Sequence, residues 1–206
     1  MKDISIEDAS VVIYIADVLP LNDDGLFGRI YSSVSDERRN KTDSLRSRKD
    51  KNLSLGVEYL LMHSCRKPYF NLSHSGGKAV CAVSDYPVGC DVEHKRNISM
   101  NIASRFFCEE EIRLIESQGN EDLAREMFFR LWVLKESFMK CTRLGFALPL
   151  NGFSVLPDGD EILLKQSVDT DGYSFYEYTC DDSYRYACCV KRGEKVDVQW
   201  KQVAIE

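Results

Sequence analysis

The sequence predicts a fold that contains both strands and helices, because strand-like and helix-like segments both occur along it. Ser10–Val18 is apolar and β-branched enough to form a first strand, and Ala79–Val83 has the same character. Between these two, over roughly Ser35–Ser64, apolar residues recur at helical spacing. The apolar pattern of Ala79–Val83 is echoed by Tyr186–Val190, which suggests two related halves.

The remaining elements follow from turn residues and periodicity. The first strand is closed by Pro20 and the turn Asn22–Gly25, and Asn71–Gly77 is predicted to be a polar turn. Pro87 introduces another strand, and the chain from Phe153 onward is predicted to form strands. Helices are predicted, in order, over Ile102–Phe107, Glu109–Gln118 and Glu121–Arg143.

Size and composition are those of an ordinary globular protein. The 206 residues suffice for one sizeable domain or two small ones, and 44% hydrophobic with 29% charged residues is a usual balance for a water-soluble chain. No apolar run approaches the ~20 residues of a membrane span, and the N-terminus has no signal-peptide pattern. We therefore expect a cytoplasmic protein with no membrane partner.

Cysteine content and charge narrow the classes of function. The eight cysteines form no Cys-x-x-Cys pair, so buried reduced thiols are favoured over a zinc site or a disulfide framework. The formal net charge of −6 argues against a nucleic-acid partner. In Arg38–Lys51, however, seven basic residues accompany two acidic ones. This segment is either a patch that attracts phosphates or an acidic partner, or a solvated helix face.

A strand-like motif carries two carboxylates. From Val88 to Glu93, apolar residues alternate with Gly89, Asp91 and Glu93. Because successive strand side chains point to opposite faces, Asp91 and Glu93 project together from the face without apolar side chains. Like charges on one face repel, and a bound cation would relieve that repulsion. The alternative is a solvent-exposed acidic pair.

A helix-like motif follows further along the chain. Trp132, Glu136 and Lys140 recur at four-residue spacing, so they share one side of the helix. Lys135 falls in line with the apolar stripe, where a lysine either reaches the surface or answers a negative charge. On an ordinary surface helix, Glu136 and Lys140 would form a modest ion pair. If the helix instead packs across the strand, three carboxylates and two lysines converge, which suits a magnesium ion bridging a phosphate-rich ligand.

Two further polar segments have competing interpretations. Ser73–Gly77 is predicted to be a small turn with exposed amides, a shape that can hold phosphate. Ser73 and His74 are poorly placed as a nucleophile and its base, because neighbours in a turn rarely orient towards one another. The acids Glu109–Glu111 stand in a first helical turn, where they favour the helix dipole.

Together these segments resemble a known family. Asn71–Ser75, Gly89–Glu93 and Trp132–Lys140 resemble the three signature motifs of the 4′-phosphopantetheinyl transferases, in the order and length of the larger, surfactin-synthetase-activating type. The chain departs from the family at Cys90, where Ile or Val is usual, and at Lys51–Ser54, where an Arg-Thr pair is replaced. Further agreement lies in Lys67–Pro68, Arg105–Phe107 and Leu148–Leu150.

The resemblance also implies the fold class, α+β, and its architecture. We expect two similar α/β subdomains related by a pseudo-twofold, each a small antiparallel sheet with a long helix, and an active site in the cleft between them. Residues 1–87 would form the N-terminal subdomain on the nucleotide side, and residues 88–206 the C-terminal subdomain with the magnesium and the catalytic carboxylates. Two halves in one chain imply a monomer.

The implied activity is magnesium-dependent transfer of 4′-phosphopantetheine from coenzyme A to a serine of an apo acyl or peptidyl carrier protein. Adenosine 3′,5′-bisphosphate is released. Arg38 and Lys41 would meet the 3′-phosphate, and Glu111 resembles a recurring structural acid of the family. The implied metal ligands are Asp91, Glu93 and Glu136. The implied contacts to coenzyme A are Arg38, Lys41, Lys67, Ser73, His74, Lys135 and Lys140.

The implied mechanism is phosphoryl transfer, with Glu136, Lys140 and Asp91 as the catalytic residues. The carrier serine attacks the β-phosphorus, Lys140 and magnesium stabilise the leaving bisphosphate, and Glu136 accepts the serine proton directly or through water. Two alternatives stay open. One is another magnesium-dependent phosphotransferase or nuclease that needs no coenzyme A, and the other is a non-catalytic module that binds coenzyme A or carrier proteins.

Overall fold

The computed structural model describes residues 9–206 and confirms the predicted α+β class. In this range the strands are β1 (Val11–Asp17), β2 (Tyr69–Ser75), β3 (Lys78–Ser84), β4 (Val88–His94), β5 (Ser154–Asp158), β6 (Glu161–Lys165), β7 (Ser174–Tyr178), β8 (Tyr184–Val190) and β9 (Val198–Gln202). The α-helices are α1 (Asp24–Ser33), α2 (Asp36–Ser44), α3 (Arg48–Met62), α4 (Ala103–Phe106), α5 (Glu109–Glu116) and α6 (Glu121–Thr142).

The two halves of the described chain repeat one topology. The first sheet has the strand order β2-β3-β1-β9 and the second has the order β4-β8-β7, while β5 and β6 form a separate hairpin. In each half a first strand is followed by helices and then by two strands, of which the last lies in the middle of an antiparallel trio. The echoed segments Ala79–Val83 and Tyr186–Val190 lie on the two middle strands, β3 and β8. Two similar halves are therefore confirmed.

The two sheets face each other across a shared apolar core. Alternate residues such as Ile13 on β1 and Val80 on β3 pack in one cluster with Val92 on β4 and Cys188 on β8. The other face of the first sheet is covered by α1 and α3, and the other face of the second sheet is covered by α6. This layering makes β2 and β4 neighbours across the boundary between the sheets, and the candidate site lies there.

Three local predictions differ from the structure. The long helical region is divided into α2 and α3. A new helix starts after Ser47, because Ser47 is the N-cap of α3 and its side chain accepts a hydrogen bond from the Asp50 amide. The predicted turn Asn22–Gly25 instead starts α1, which Asp23 caps through the Leu26 amide at 2.8 Å. The predicted polar turn over Asn71–Gly77 is mostly strand β2, with the turn confined to its last two glycines.

The boundary between the predicted subdomains stays a prediction, and residues 1–8 of the first one lie outside the described range. Strand β9 belongs to the predicted C-terminal subdomain, but it pairs in parallel with β1 and so extends the first sheet. All eight cysteines are free thiols, as expected. Within residues 9–206, no helix is both long and apolar enough to span a membrane.

Candidate active site

Helix α6 approaches strand β4 so closely that only glycine fits at the contact. A Cβ atom on Gly89 would lie 2.1 Å from the Ser137 carbonyl oxygen and 2.3 Å from the Cys141 amide nitrogen, both of them backbone atoms. This contact explains why glycine precedes the carboxylates in the strand motif. It also brings Lys140 of α6 into contact with Asp91, and Glu136 lies one turn earlier on the same side of the helix.

Asp91 forms the centre of a buried polar cluster. Its side chain is 5% exposed, and Oδ1 accepts hydrogen bonds from Lys140 Nζ at 2.6 Å and from Ser73 Oγ at 2.8 Å. Lys140 Nζ also donates to Ser73 Oγ at 2.9 Å, which closes a three-membered network. Oδ2 of Asp91 is buried and has no hydrogen-bond partner. A buried carboxylate oxygen without a partner is costly, so this oxygen is the open position of the cluster.

Glu93 and Glu136 are held in an environment that disfavours their charge. Burial raises the pKa of Glu136 and the negative charge of Asp91 raises it further. The same two causes raise the pKa of Glu93, although Ser75 Oγ donates to its Oε2 at 2.8 Å. Burial acts to lower the pKa of Lys140, but Asp91 together with the neighbouring groups Cys90 and Glu136 outweighs burial, and the pKa ends above its usual value. The cluster therefore has three acids and one nearby ammonium group.

This donor set fits a divalent cation that shares its ligands with a phosphate. Hard oxygen donors suit Mg²⁺, which is usually bound by one or two carboxylates together with substrate phosphates. The open Oδ2 of Asp91 and the raised pKa values of Glu93 and Glu136 both indicate unbalanced negative charge. Among the residues that the structure describes, no group of three His, Cys, Asp or Glu side chains is arranged to hold a metal by itself. A metal here would need ligands from a bound substrate.

We expect the stability of the metal-free protein to depend on Glu136 and pH. A carboxyl whose folded-state pKa is raised binds protons that the unfolded chain has already released. Its stabilising contribution is present below the ordinary value of 4.5 and is lost as pH rises through the raised pKa. The Glu136→Gln variant should therefore gain stability relative to the unaltered chain as pH increases.

Urea unfolding from pH 4 to pH 8 in the presence of EDTA measures this effect. The difference in unfolding free energy between Glu136→Gln and the unaltered chain should be small at pH 4 and should grow towards neutral pH. A difference that stays constant over the whole range would contradict the raised pKa of Glu136.

A polar seam between β2 and β4 holds the carboxylates in place. Asn71 Oδ1 accepts a hydrogen bond from the Cys90 amide at 3.0 Å, Ser73 donates to Asp91, and Ser75 Oγ accepts from the His94 amide at 3.1 Å. Sequence reasoning missed this seam because the polar content of the segment was interpreted as a turn. The period-two recurrence of asparagine, serine and serine is the signal that would have revealed a strand.

The prediction that Lys135 binds the phosphates of coenzyme A is corrected by the structure. Its side chain is completely buried, and Nζ donates to both carboxylate oxygens of Glu111 at 2.6 and 2.8 Å and to the Phe153 carbonyl at 2.6 Å. Glu111 also accepts from the Cys108 and Val155 amides, both at 2.8 Å. Lys135 therefore joins α6 to α5 and to the residue that precedes β5, and it neutralises a buried negative charge, which was one of the two interpretations of its position.

The basic residues predicted for the nucleotide lie at different places. Arg38 and Lys41 line a groove of about 290 Å³ that also includes Glu58, Phe70 and Leu72; we call it the Arg38 groove. Arg38 Nη2 is ion-paired there with Glu58 Oε2 at 2.7 Å.

His74 and Lys67 complete the placement of the predicted contacts. His74 shares the outer face of β2 with the groove residues Phe70 and Leu72, since it is four and two positions further along the strand. Loss of hydration lowers its pKa, and the positive charges of Lys140 and Lys41 lower it further. The structure does not bring Lys67 to the cluster, since its Nζ pairs with Asp85 at 2.9 Å.

Fold and site together define a two-part α+β protein with an acidic, lysine-containing cluster suited to phosphoryl chemistry. The sequence profile of the 4′-phosphopantetheinyl transferase superfamily matches residues 87–189, which is half of the chain. The chain therefore belongs to this superfamily. The matched range includes Asp91, Glu93, Glu136 and Lys140.

Curated relatives agree with this assignment and with the larger type of the family. The 4′-phosphopantetheinyl transferase gsp of Aneurinibacillus migulanus is 32% identical over 121 residues, which cover 59% of this chain and 51% of the relative. The 4′-phosphopantetheinyl transferase Sfp of Bacillus subtilis (strain 168) is 35% identical over 122 residues, which cover 59% of this chain and 54% of the relative. The matches thus span about half the length of these relatives.

A solved structure also resembles the chain at a distance. The crystal structure of Thermotoga maritima holo-[acyl-carrier-protein] synthase matches with a TM-score of 0.45 and 21% sequence identity, covering 53% of this chain and 65% of that one.

Proposed function

We propose that this chain transfers 4′-phosphopantetheine from coenzyme A to a serine of an acyl or peptidyl carrier protein and releases adenosine 3′,5′-bisphosphate. The observation that supports this most directly is the network of Asp91, Ser73 and Lys140, in which a buried acid with one open oxygen lies beside a partly exposed ammonium group. Superfamily membership and the names of the relatives support the reaction type.

The cleft residues would act mainly by position and charge. The ammonium of Lys140 would neutralise the pyrophosphate and stabilise the leaving nucleotide, because charge neutralisation supplies much of the catalysis in phosphoryl transfer. Magnesium held by Asp91, Glu93 and Glu136 would add further positive charge at the pyrophosphate. Ser73 would keep Asp91 and Lys140 in register, and His74 would meet the nucleotide from the adjoining face of β2.

Glu136 would take the proton of the attacking carrier serine. A carboxylate held beside a reacting hydroxyl is a common general base, and Glu136 would act directly or through a water. In the balanced reaction a bond forms between the serine oxygen and the β-phosphorus. The bond from that phosphorus to the nucleotide oxygen breaks, and the proton goes to Glu136.

Replacing Glu136 with glutamine should lower kcat by about 100-fold or more, because general-base catalysis typically contributes that much. Glu121→Gln, at an exposed site in the first turn of the same helix, is the matched control and should keep its rate. The measurement is the initial rate at saturating magnesium and coenzyme A. Near-normal turnover of Glu136→Gln would remove Glu136 from this role.

Release of adenosine 3′,5′-bisphosphate, followed by liquid chromatography, distinguishes the proposed function from its alternatives. The proposal predicts release only when coenzyme A, magnesium and an apo carrier are all present. Release of the bisphosphate without a carrier would indicate a hydrolase. If the chain binds coenzyme A but releases no bisphosphate with either acyl or peptidyl carriers, a binding module is favoured. A monomeric, cytoplasmic enzyme that acts on neither nucleic acid nor membranes completes the proposal.

A further inference from the structure

The Arg38 groove is an unusual place for a doubly charged phosphate. Two basic residues, Arg38 and Lys41, and two acidic residues, Glu37 and Glu58, line it, so their formal charges sum to zero. The Arg38–Glu58 ion pair is direct, with 2.7 Å between nitrogen and oxygen, and both side chains are only about 15% exposed. The arginine is thus already satisfied by a carboxylate of this chain.

A phosphate entering this groove would have to share Arg38 with Glu58. Ionised acceptors form strong hydrogen bonds to guanidinium, but two anions at one arginine also repel each other. Placing an acid beside a basic residue therefore works against phosphorylated ligands more than against ligands that lack the phosphate. Lys67, another basic residue predicted to contact coenzyme A, is likewise paired with an acid of the chain, Asp85.

We propose that Glu58 is a specificity-determining residue that removes most of the preference for a 3′-phosphate on the donor. On this basis the chain accepts 3′-dephospho-coenzyme A nearly as well as coenzyme A. The inference rests on the proposed function. The bonds formed and broken at the β-phosphorus are the same for both donors, and the leaving group from the second donor is adenosine 5′-monophosphate.

The test compares kcat/KM for the two donors with one apo carrier protein, followed by the carrier's intact mass. We expect the two values to agree within about threefold, a difference of less than 1 kcal/mol in transition-state binding. In Glu58→Gln, Arg38 loses its ionic partner and becomes available to the 3′-phosphate. The ratio of coenzyme A to dephospho-coenzyme A should then rise by about tenfold.

Glu37→Gln is the matched control, since Glu37 lines the same groove but is exposed. Water and salt therefore screen its charge, and its effect on a bound phosphate is weaker. Its ratio should change by less than about threefold. An equal rise in this variant would show that total groove charge sets the ratio, which would overturn the assignment to Glu58.

Two further outcomes would contradict the inference while leaving the proposed function intact. A strong preference of the unaltered chain for coenzyme A, about 30-fold or more, would show that the 3′-phosphate is recognised in spite of Glu58. A fall of the ratio in Glu58→Gln would show that Glu58 orients Arg38 towards the phosphate. Absence of transfer from both donors would instead reject the proposed function itself.

Discussion

Replacing Gly89 with alanine should destabilise the protein by about 3 kcal/mol, at the upper end of the usual cost of overpacking a core. The added methyl group would lie within 2.1 Å of the Ser137 carbonyl and within 2.3 Å of the Cys141 amide. Both are backbone atoms of α6, so no side chain can rotate away and the whole helix must move off β4. That movement would also separate Lys140 from Asp91.

Urea unfolding followed by far-UV circular dichroism measures the loss at Gly89. Gly28→Ala is the matched control, because Gly28 lies inside α1 and a Cβ there meets nothing within 4 Å. It should stabilise the protein by about 0.5–1 kcal/mol, the gain in helix propensity from glycine to alanine. A Gly89→Ala protein as stable as the unaltered chain would contradict the close helix–strand contact.

Replacing Lys135 with methionine should cost about 3–5 kcal/mol, because it leaves the buried carboxylate of Glu111 without its counter-ion. Both side chains are completely buried, and Glu111 depends on Lys135 and two backbone amides for its hydrogen bonds. The double variant Lys135→Met, Glu111→Gln should recover part of the loss, since it removes the uncompensated charge. The measurement is the free energy of unfolding in urea.

The exposed pair of Lys165 and Glu110 provides a control for the buried pair. These two residues also join α5 to the β5–β6 hairpin, but 65% of the Lys165 side chain is exposed. Lys165→Met should therefore cost far less than Lys135→Met. Below its unfolding temperature, Lys135→Met should retain its turnover rate if the lysine is structural. A loss of kcat in a fully folded Lys135→Met variant would instead indicate that Lys135 acts on the phosphates.

The sequence motifs predicted which side chains of β4 and of α6 share a face, because two regular periods determine their directions. Alternation along β4 placed Asp91 and Glu93 on one face, and four-residue spacing along α6 placed Glu136 and Lys140 on another. These periods do not predict that α6 packs across β4. The structure shows that this packing is possible because Gly89 has no side chain and lets the two backbones meet.

The residues that sequence reasoning misplaced are those whose partners are distant in the chain. Lys135 and Lys140 have the same chemistry and lie on the same helix, but Lys135 meets Glu111 on another helix, and a periodicity argument contains no information on that contact. Ser73 was assigned to a turn because of its polarity, whereas its hydrogen bond to Asp91 is what makes a polar strand residue stable in a buried position. Arg38 was expected to meet the 3′-phosphate, and its pairing with Glu58 could not be predicted because it depends on how α2 packs on α3.

The role of the cluster is tested most directly by the intact mass of an apo carrier protein after incubation with this chain, coenzyme A and magnesium. We predict that the carrier gains the mass of one phosphopantetheine. The gain should disappear with EDTA and with Asp91→Ala, provided that circular dichroism shows the variant folded. An undiminished gain in a folded Asp91→Ala protein would contradict the role of this carboxylate. No gain for any acyl or peptidyl carrier would contradict the transfer reaction itself.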